Sequence, residues 1–211
     1  MALLASASSS GKEFKPVPSG AHIGRCFKII DLGTQTQEWQ GKSRKARKVL
    51  ISWELFGEDE EGVPLILDDG RPLSVSKRYT LSLSEKSSLR ADLEAWRGRQ
   101  FTEDELSGFD LKKLLGIYGM LTITHSTKDG KTYSNVAGIS PIPKAMRDHR
   151  PAPVNENQYF DTSEPDMTLF ETFSDKLKET IKSCAEWQSA SETAKKNRGS
   201  QMEEMDSDTP W

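Results

Sequence analysis

The sequence predicts a mainly β fold: five strands closing a small barrel, one helix between the third and fourth strands, and a C-terminal helix before an acidic tail. Three observations predict it. Apolar and polar residues alternate with period two in separate stretches before Pro141. The spacing changes to that of a helix between the third and fourth of these stretches. The dipeptide Asp129-Gly130, a strong two-residue turn, joins the last two.

The elements follow in order. Ala21–Leu32 (AHIGRCFKIIDL) sets Ile23, Phe27 and Ile29 on one parity and ends at Gly33, so it is read as the first strand. Gly33–Arg47 is polar and holds Trp39, Gly41 and a basic cluster; it is expected as a long hairpin loop. In Lys48–Phe56, Val49, Ile51, Trp53 and Leu55 alternate with Lys48, Leu50, Ser52 and Glu54, the clearest strand pattern in the chain. Gly57–Arg71 is acidic, then broken by Gly and Pro, and reads as a loop. Leu73–Leu83 alternates again, with Val75, Lys77, Tyr79 and Leu81 on one parity. Ser84–Trp96 places Leu89, Leu93 and Trp96 at helical spacing, with Ser84 or Ser87 as N-cap and Gly98 as the stop. Thr102 and Glu105 are spaced as a capping box for a second short helix, and Asp110–Leu115 adds a turn. Ile117–Ser126 and Lys131–Ser140 are the last two strands, stopped by Pro141 and Pro143. Three strands, a helix and two strands is the order of an OB-type fold, a Greek-key barrel of five strands. Phe27, Trp53 and Trp96 are expected in its core.

Residues 1–19 are small and polar and read as a flexible lead-in. Residues 20–145 form the expected barrel domain. Residues 146–187 are read as a linker, Pro/Asn-rich at Arg150–Asn157, with a short amphipathic helix at Ser174–Trp187. Residues 188–211 are rich in Ser, Glu and Lys and are expected to be disordered. Hydrophobic residues make up 35% of the chain, low enough to support that division. No apolar run approaches the roughly 18–20 residues of a membrane span, so no membrane partner is expected. Met1–Lys12 does not read as a secretory signal. Cys26 and Cys184 lie far apart without a second cysteine at metal spacing, which fits a reducing, cytoplasmic setting.

Charge divides the chain. Residues 1–150 carry 23 Lys+Arg against 19 Asp+Glu, a net +4, while residues 151–211 carry 6 against 13, a net −7. A basic body with an acidic tail fits a polyanion-binding surface that has its own competitor.

Enzyme chemistry finds little support. His22, His125 and His149 form no zinc-ligand pattern, and His22 and His125 are expected at strand edges or in hydrogen-bonded positions. No phosphate loop, GxGxxG or GxSxG motif occurs. Neither catalytic activity, a metal nor a cofactor is expected. The carboxylates of Glu58–Asp69 supply an enzyme-class rival, a Mg²⁺-dependent nuclease, against the plainer reading of a solvated loop.

A protein that grips single strands needs cations along a groove and aromatic rings on which bases stack. Lys42, Arg44, Lys45, Arg47 and Lys48 place five cations within seven residues. Arg25, Lys28, Lys77, Arg78, Lys128 and Lys131 extend the track, and Trp39, Tyr79 and Tyr133 are the candidate stacking rings. A solvated loop is the bland reading of the basic cluster, and Tyr79 and Tyr133 divide between stacking and core packing.

The chain closes on MEEMDSDTPW. Four carboxylates without a basic partner precede a terminal Trp, a pattern suited to an apolar, basic-rimmed pocket on another protein. The tip DSDTPW resembles the ending of bacterial and phage single-stranded DNA-binding proteins, with Trp for Phe and Thr for Ile. The stretches GRCFKIIDLGTQ, KRYTLSLSEKSSLRADLEAWRG and GKTYSNVAGISP resemble a phage-encoded type found among replication and recombination functions. That resemblance spans roughly residues 14–145, without the usual core sequence of the bacterial family. It implies single-stranded DNA binding and protection in a host cytoplasm, with homo-oligomers possible. It also implies recruitment of replication or recombination proteins by Asp206, Asp208, Pro210 and Trp211, which would occupy the protein's own groove when DNA is absent. The rival from the binding class is a protein-interaction module that engages a replication or host-defence factor.

Overall fold

The structure, a computed structural model, describes residues 16–39 and 41–189. Six strands form one sheet: β1 (Gly20–Trp39), β2 (Lys42–Phe56), β3 (Ser74–Thr80), β4 (Tyr118–Lys128), β5 (Lys131–Ser140) and β6 (Gln158–Phe160). The order is β3-β2-β1-β4-β5, antiparallel throughout, with β6 added parallel to β1. The helices are few and short: α1 (Ser88–Arg97), α2 (Glu103–Ser107), α3 (Met167–Glu171) and α4 (Asp175–Lys182). Among the described residues no helix is long and apolar enough to cross a membrane.

The expected strand order and the helix between the third and fourth strands are present. The closed barrel is not. Among the described residues no ladder joins β3 to β5, so the sheet is open along that seam. β3 is only seven residues long, and α1 packs against both β3 and β5 where a ladder would have run.

The predicted loop Gly33–Arg47 is also corrected. These residues continue β1 and β2 as a two-stranded ribbon, paired from Thr34↔Arg47 to Trp39↔Lys42. Beyond its base the ribbon is exposed on both faces, over residues 36–38 and 42–45, so no apolar alternation marks it. The predicted helix Ser84–Trp96 begins later, with Ser87 as its N-cap.

β1 is central because both of its edges are used. β2 pairs with it from Ile23 to Trp39. On the other edge, β4 pairs with Gly20–Arg25 and β6 takes over at Lys28–Ile30. Cys26 sits at the changeover, its amide donating to Ile117 O at 3.0 Å and its carbonyl accepting from Gly116 N at 2.7 Å.

The inner face of the sheet carries the alternating residues seen in the sequence. Val49, Ile51, Trp53 and Leu55 meet Val75, Leu121, Ile123, Val136 and Ile139, and α1 adds Leu89, Leu93 and Trp96. Trp53 and Trp96 lie with ring centroids 5.8 Å apart, and Trp96 Nε1 donates to Tyr118 O at 2.9 Å. Each such large apolar side chain stabilises the fold by about 1.5–3 kcal/mol. Phe27, Trp53 and Trp96 are buried as expected.

A second cluster lies on the outer face. Ile30 and Leu32 of β1 are covered by Phe160, Phe170, Phe173 and Ile181, with Leu50, Leu177 and Trp187 at the margin. Phe170 and Trp187 stack at 4.7 Å. The C-terminal segment therefore packs on β1. The predicted helix Ser174–Trp187 is broken after Lys182 and resumes over 185–189. The break seats Cys184 against Gly33, where φ is +64° and a Cβ would overlap the cysteine sulfur. The predicted disordered tail, with Asp206, Asp208, Pro210 and Trp211, lies outside the described residues beyond Ser189.

Polar clasps fix this cover. The Glu54 carboxylate is fully buried and pairs with Arg25. It also accepts from Asn155 N at 2.8 Å and Asn155 Nδ2 at 2.7 Å, while Arg25 donates to Asn157 Oδ1 at 2.8 Å and to Asn155 O. Asp31 accepts from Arg47, Thr162 and Gly33 N. Glu186 accepts from Thr34 N at 2.7 Å and Thr34 Oγ1 at 2.6 Å. Both histidines near the N-terminal segment are hydrogen-bonded as expected, His22 Nε2 to Pro18 O at 2.9 Å and His125 Nε2 to Val17 O at 2.7 Å.

Removing one partner of a buried ion pair leaves the other uncompensated. Arg25→Ala is expected to lower unfolding stability by about 3–5 kcal/mol in urea denaturation. Arg71→Ala, which removes the exposed pair with Asp69, is expected to cost under about 1 kcal/mol.

Candidate nucleic-acid interface

Strand parity decides which cations are available. Lys48 is the Cα partner of Thr80, Leu50 of Arg78, and Ser52 of Ser76, whose hydroxyls meet at 2.8 Å. These residues form the outer face of β2 and β3. Lys77 and Tyr79 have the opposite parity and point towards α1.

Two of the sequence-derived site residues are therefore corrected. Tyr79 is buried, and its hydroxyl donates to Asp92 Oδ2 at 2.7 Å. Burial and the neighbouring Asp92 raise its pKa far above the ordinary tyrosine value. No base can reach that ring. Lys77 Nζ donates to the same carboxylate oxygen at 2.6 Å, which ties it to α1. Arg47 is a third correction. Its guanidinium meets Asp31 at 2.7 Å and Asp161 at 3.6 Å. Its pKa is raised first by the Asp31 hydrogen bond.

Arg44 and Lys48 have the opposite parity to Arg47 on β2. With Gln37 and Ala46 they form one wall of a groove of about 500 Å³. Thr80, Ser82, Ser84, Lys86, Ser87 and Ser88 form the other. The lining is three cations, five serine or threonine hydroxyl-bearing residues after β2, and no carboxylate. Lys48 Nζ donates to Thr80 Oγ1 at 2.8 Å, which holds the ammonium at the groove floor.

The N-terminus of α1 opens into this groove through Ser87 and Ser88. Ser87 donates its hydroxyl to Ser82 O and makes no side-chain cap hydrogen bond. The first-turn amides of α1 thus lack a side-chain acceptor, and the positive end of the helix dipole adds to the field of the three cations. Chemically, these groups suit an anionic ligand.

Other predicted residues lie apart. Lys42 and Lys45 are exposed on the ribbon, and Arg78 is exposed beside Thr80 on the outer face. Trp39 ends β1 opposite Lys42; its side chain lies outside the described part. Lys128, Lys131 and Tyr133 are exposed on the β4–β5 hairpin, where Lys128 opposes Lys131 and Tyr133 opposes Ser126. They do not line the groove. Lys86 and the serines were missed in the sequence. The signal was the run SLSEKSS ahead of the helix, which helical periodicity absorbed into the helix itself.

In the loop between β2 and β3, Asp59 accepts from Glu61 N and Val63 N, and Asp69 holds Arg71. Among the described residues no three His, Cys, Asp or Glu side chains gather as a metal ion would require. No protein-family model matches the sequence, and no curated protein matches it.

Asp31 supplies a pH test of the ribbon's anchor. Burial favours its protonation, but hydrogen bonds from Arg47, Thr162 and Gly33 overcome this and hold its pKa below the ordinary 3.8. The carboxylate's contribution to stability is complete above the unfolded value and is lost as pH falls through the lowered folded one. The stability deficit of Asp31→Asn is expected to be constant at neutral pH and to shrink below pH 3.8, read from urea midpoints. Arg47→Ala is expected to lower stability by about 1–3 kcal/mol by stripping a buried carboxylate of a partner. Arg44→Ala is expected to stay within about 0.5 kcal/mol of the parent in the same denaturation.

Proposed function

We propose that this chain binds and protects single-stranded DNA without catalysing a reaction on it. The observation that carries the reading is the carboxylate-free groove, where Arg44, Lys48 and Lys86 converge on the uncapped start of α1. We read the topology as OB-type with its β3–β5 seam left open. In such folds the strand 2–3 face and the first hairpin connection are the surfaces that take oligonucleotides. The groove lies between those two parts here.

The ligand chemistry follows from the lining. Cations and hydroxyls in a groove whose described lining holds no stacking ring suit phosphate contacts, so binding is expected to be tolerant of sequence. Tyr133, with 47% of its surface exposed, and Lys128 and Lys131 offer a second contact for a strand leaving the groove. Recruitment of replication or recombination proteins through Asp206, Asp208, Pro210 and Trp211 belongs to the same reading and rests on the sequence resemblance.

Titration of labelled oligo-dT and its duplex against the full chain tests this by fluorescence anisotropy. Tight single-strand binding that weakens with salt, with little duplex binding, is the expected result. Arg44→Ala, Lys48→Ala and Lys86→Ala are each expected to weaken binding and to reduce the salt slope by about 0.7. Absence of oligo-dT binding at low salt, or a salt slope unchanged in the triple variant, would overturn the reading.

A further inference from the structure

The groove occupies the Thr80 end of β3. At the Ser74 end, about 20 Å away at the rise of a strand, there is a second pocket. Its volume is about 280 Å³, and its lining includes Lys28, Arg71, Ser74, Asn155, Gln158 and Thr172, with no carboxylate.

Three of its features call for a ligand. Lys28 is half-buried and forms no ion pair among the described residues; its ammonium rests 5.4 Å from the Phe27 ring centroid. Desolvation lowers its pKa from the ordinary lysine value, so the charged form lacks compensation there. Arg71 supplies a second cation on an exposed loop, oriented by Asp69. Gln158, the Cα partner of Lys28 across the β1–β6 pairing, has its side-chain oxygen buried without a hydrogen-bond partner. Neither the Gln158 oxygen nor the Lys28 ammonium has a hydrogen-bond or ion-pair partner among the described residues, and a ligand carrying both an acceptor and a donor would meet both.

We propose that this pocket binds a phosphomonoester of nucleotide size. Its phosphate would accept from Lys28 and Arg71, and a hydroxyl of the phosphate or sugar would donate to Gln158. With the Gln158 amide turned over, the orphan becomes a donor to the phosphate, and the same ligand satisfies it. The volume lies just below the usual range of ligand pockets, about 300 Å³ upwards, and is suited to no more than one nucleotide. A free nucleoside 5′-monophosphate and the 5′-phosphate end of a strand share this chemistry. The pocket stands on residues separate from the groove, so the two readings succeed or fail independently.

Calorimetric titration of the full chain with thymidine 5′-monophosphate and thymidine tests the proposal. The monophosphate is expected to bind saturably, with thymidine at least about tenfold weaker. Lys28→Met is expected to lose at least about tenfold in monophosphate affinity, Lys28→Arg to retain most of it, and Lys113→Ala, an exposed lysine outside both sites, to leave it unchanged. Arg71→Gln, on an exposed loop, is expected to weaken binding as well and serves if Lys28→Met does not fold. Oligo-dT with a 5′-phosphate binding more tightly than its 5′-hydroxyl form assigns the strand end; equal binding of the two, with the monophosphate still bound, assigns the free nucleotide. No saturable monophosphate binding, or affinity unchanged in both Lys28→Met and Arg71→Gln, would overturn the proposal.

Discussion

The structure depends on the hydrogen-bonding edges of β1. One edge carries β2 for nearly its whole length, and the other is divided between β4 and β6. Everything else takes its position from this arrangement. The changeover at Cys26 lets β4 and β5 turn away towards α1, and it brings residues 158–160 onto the same strand. The bulges between Cys26 and Lys28 and between Asp31 and Gly33 shift the register twice. Those shifts place Ile29 in the main core and Ile30 and Leu32 in the outer cluster. One strand thus serves two cores, and the ribbon beyond Gly33 is held at its base by both.

That division also sorts the cations. Neighbours on a strand point to opposite faces, so Arg47 and Lys48 have different fates despite adjacent positions. Arg47 meets the carboxylates of Asp31 and Asp161, and among the described residues Lys48 meets only the hydroxyl of Thr80. Acidic residues from the C-terminal segment, Asp161 and Glu186, approach one side of the ribbon. Among the described residues no carboxylate lines the groove.

Much of the central fold was legible because its strands have one wet face and one dry one. Val49, Ile51, Trp53 and Leu55 announce β2, and Leu89, Leu93 and Trp96 announce α1. The ribbon was illegible for the same physical reason: a strand exposed on both faces has no alternation to read. The open seam was hidden as well, because the sequence of β3 does not say whether β5 or a helix will meet its free edge. For the candidate site, the sequence marked Arg44 and Lys48 but not Lys86, which sits in a serine-rich approach to α1. Tyr79 beside Arg78 looked like a stacking pair, and parity places them on opposite faces. Asp92, thirteen residues on, decides the matter by binding the Tyr79 hydroxyl. Such a partner is visible only after the chain has folded.

The sharing of one β1 edge between β4 and β6 bears on how the chain can be divided. The sequence invites a boundary after residue 145, where the last strand of the main sheet is complete. A fragment cut there would keep Lys28–Ile30 without β6, leaving backbone amides and carbonyls of a twenty-residue strand unpaired. It would also uncover Ile30, Leu32 and Leu50 on the adjoining surface. A bare edge next to an apolar patch is a template for strand addition by another molecule. The C-terminal segment thus closes an edge and an apolar patch of its own sheet, and a minimal version of this domain has to carry it to keep both covered.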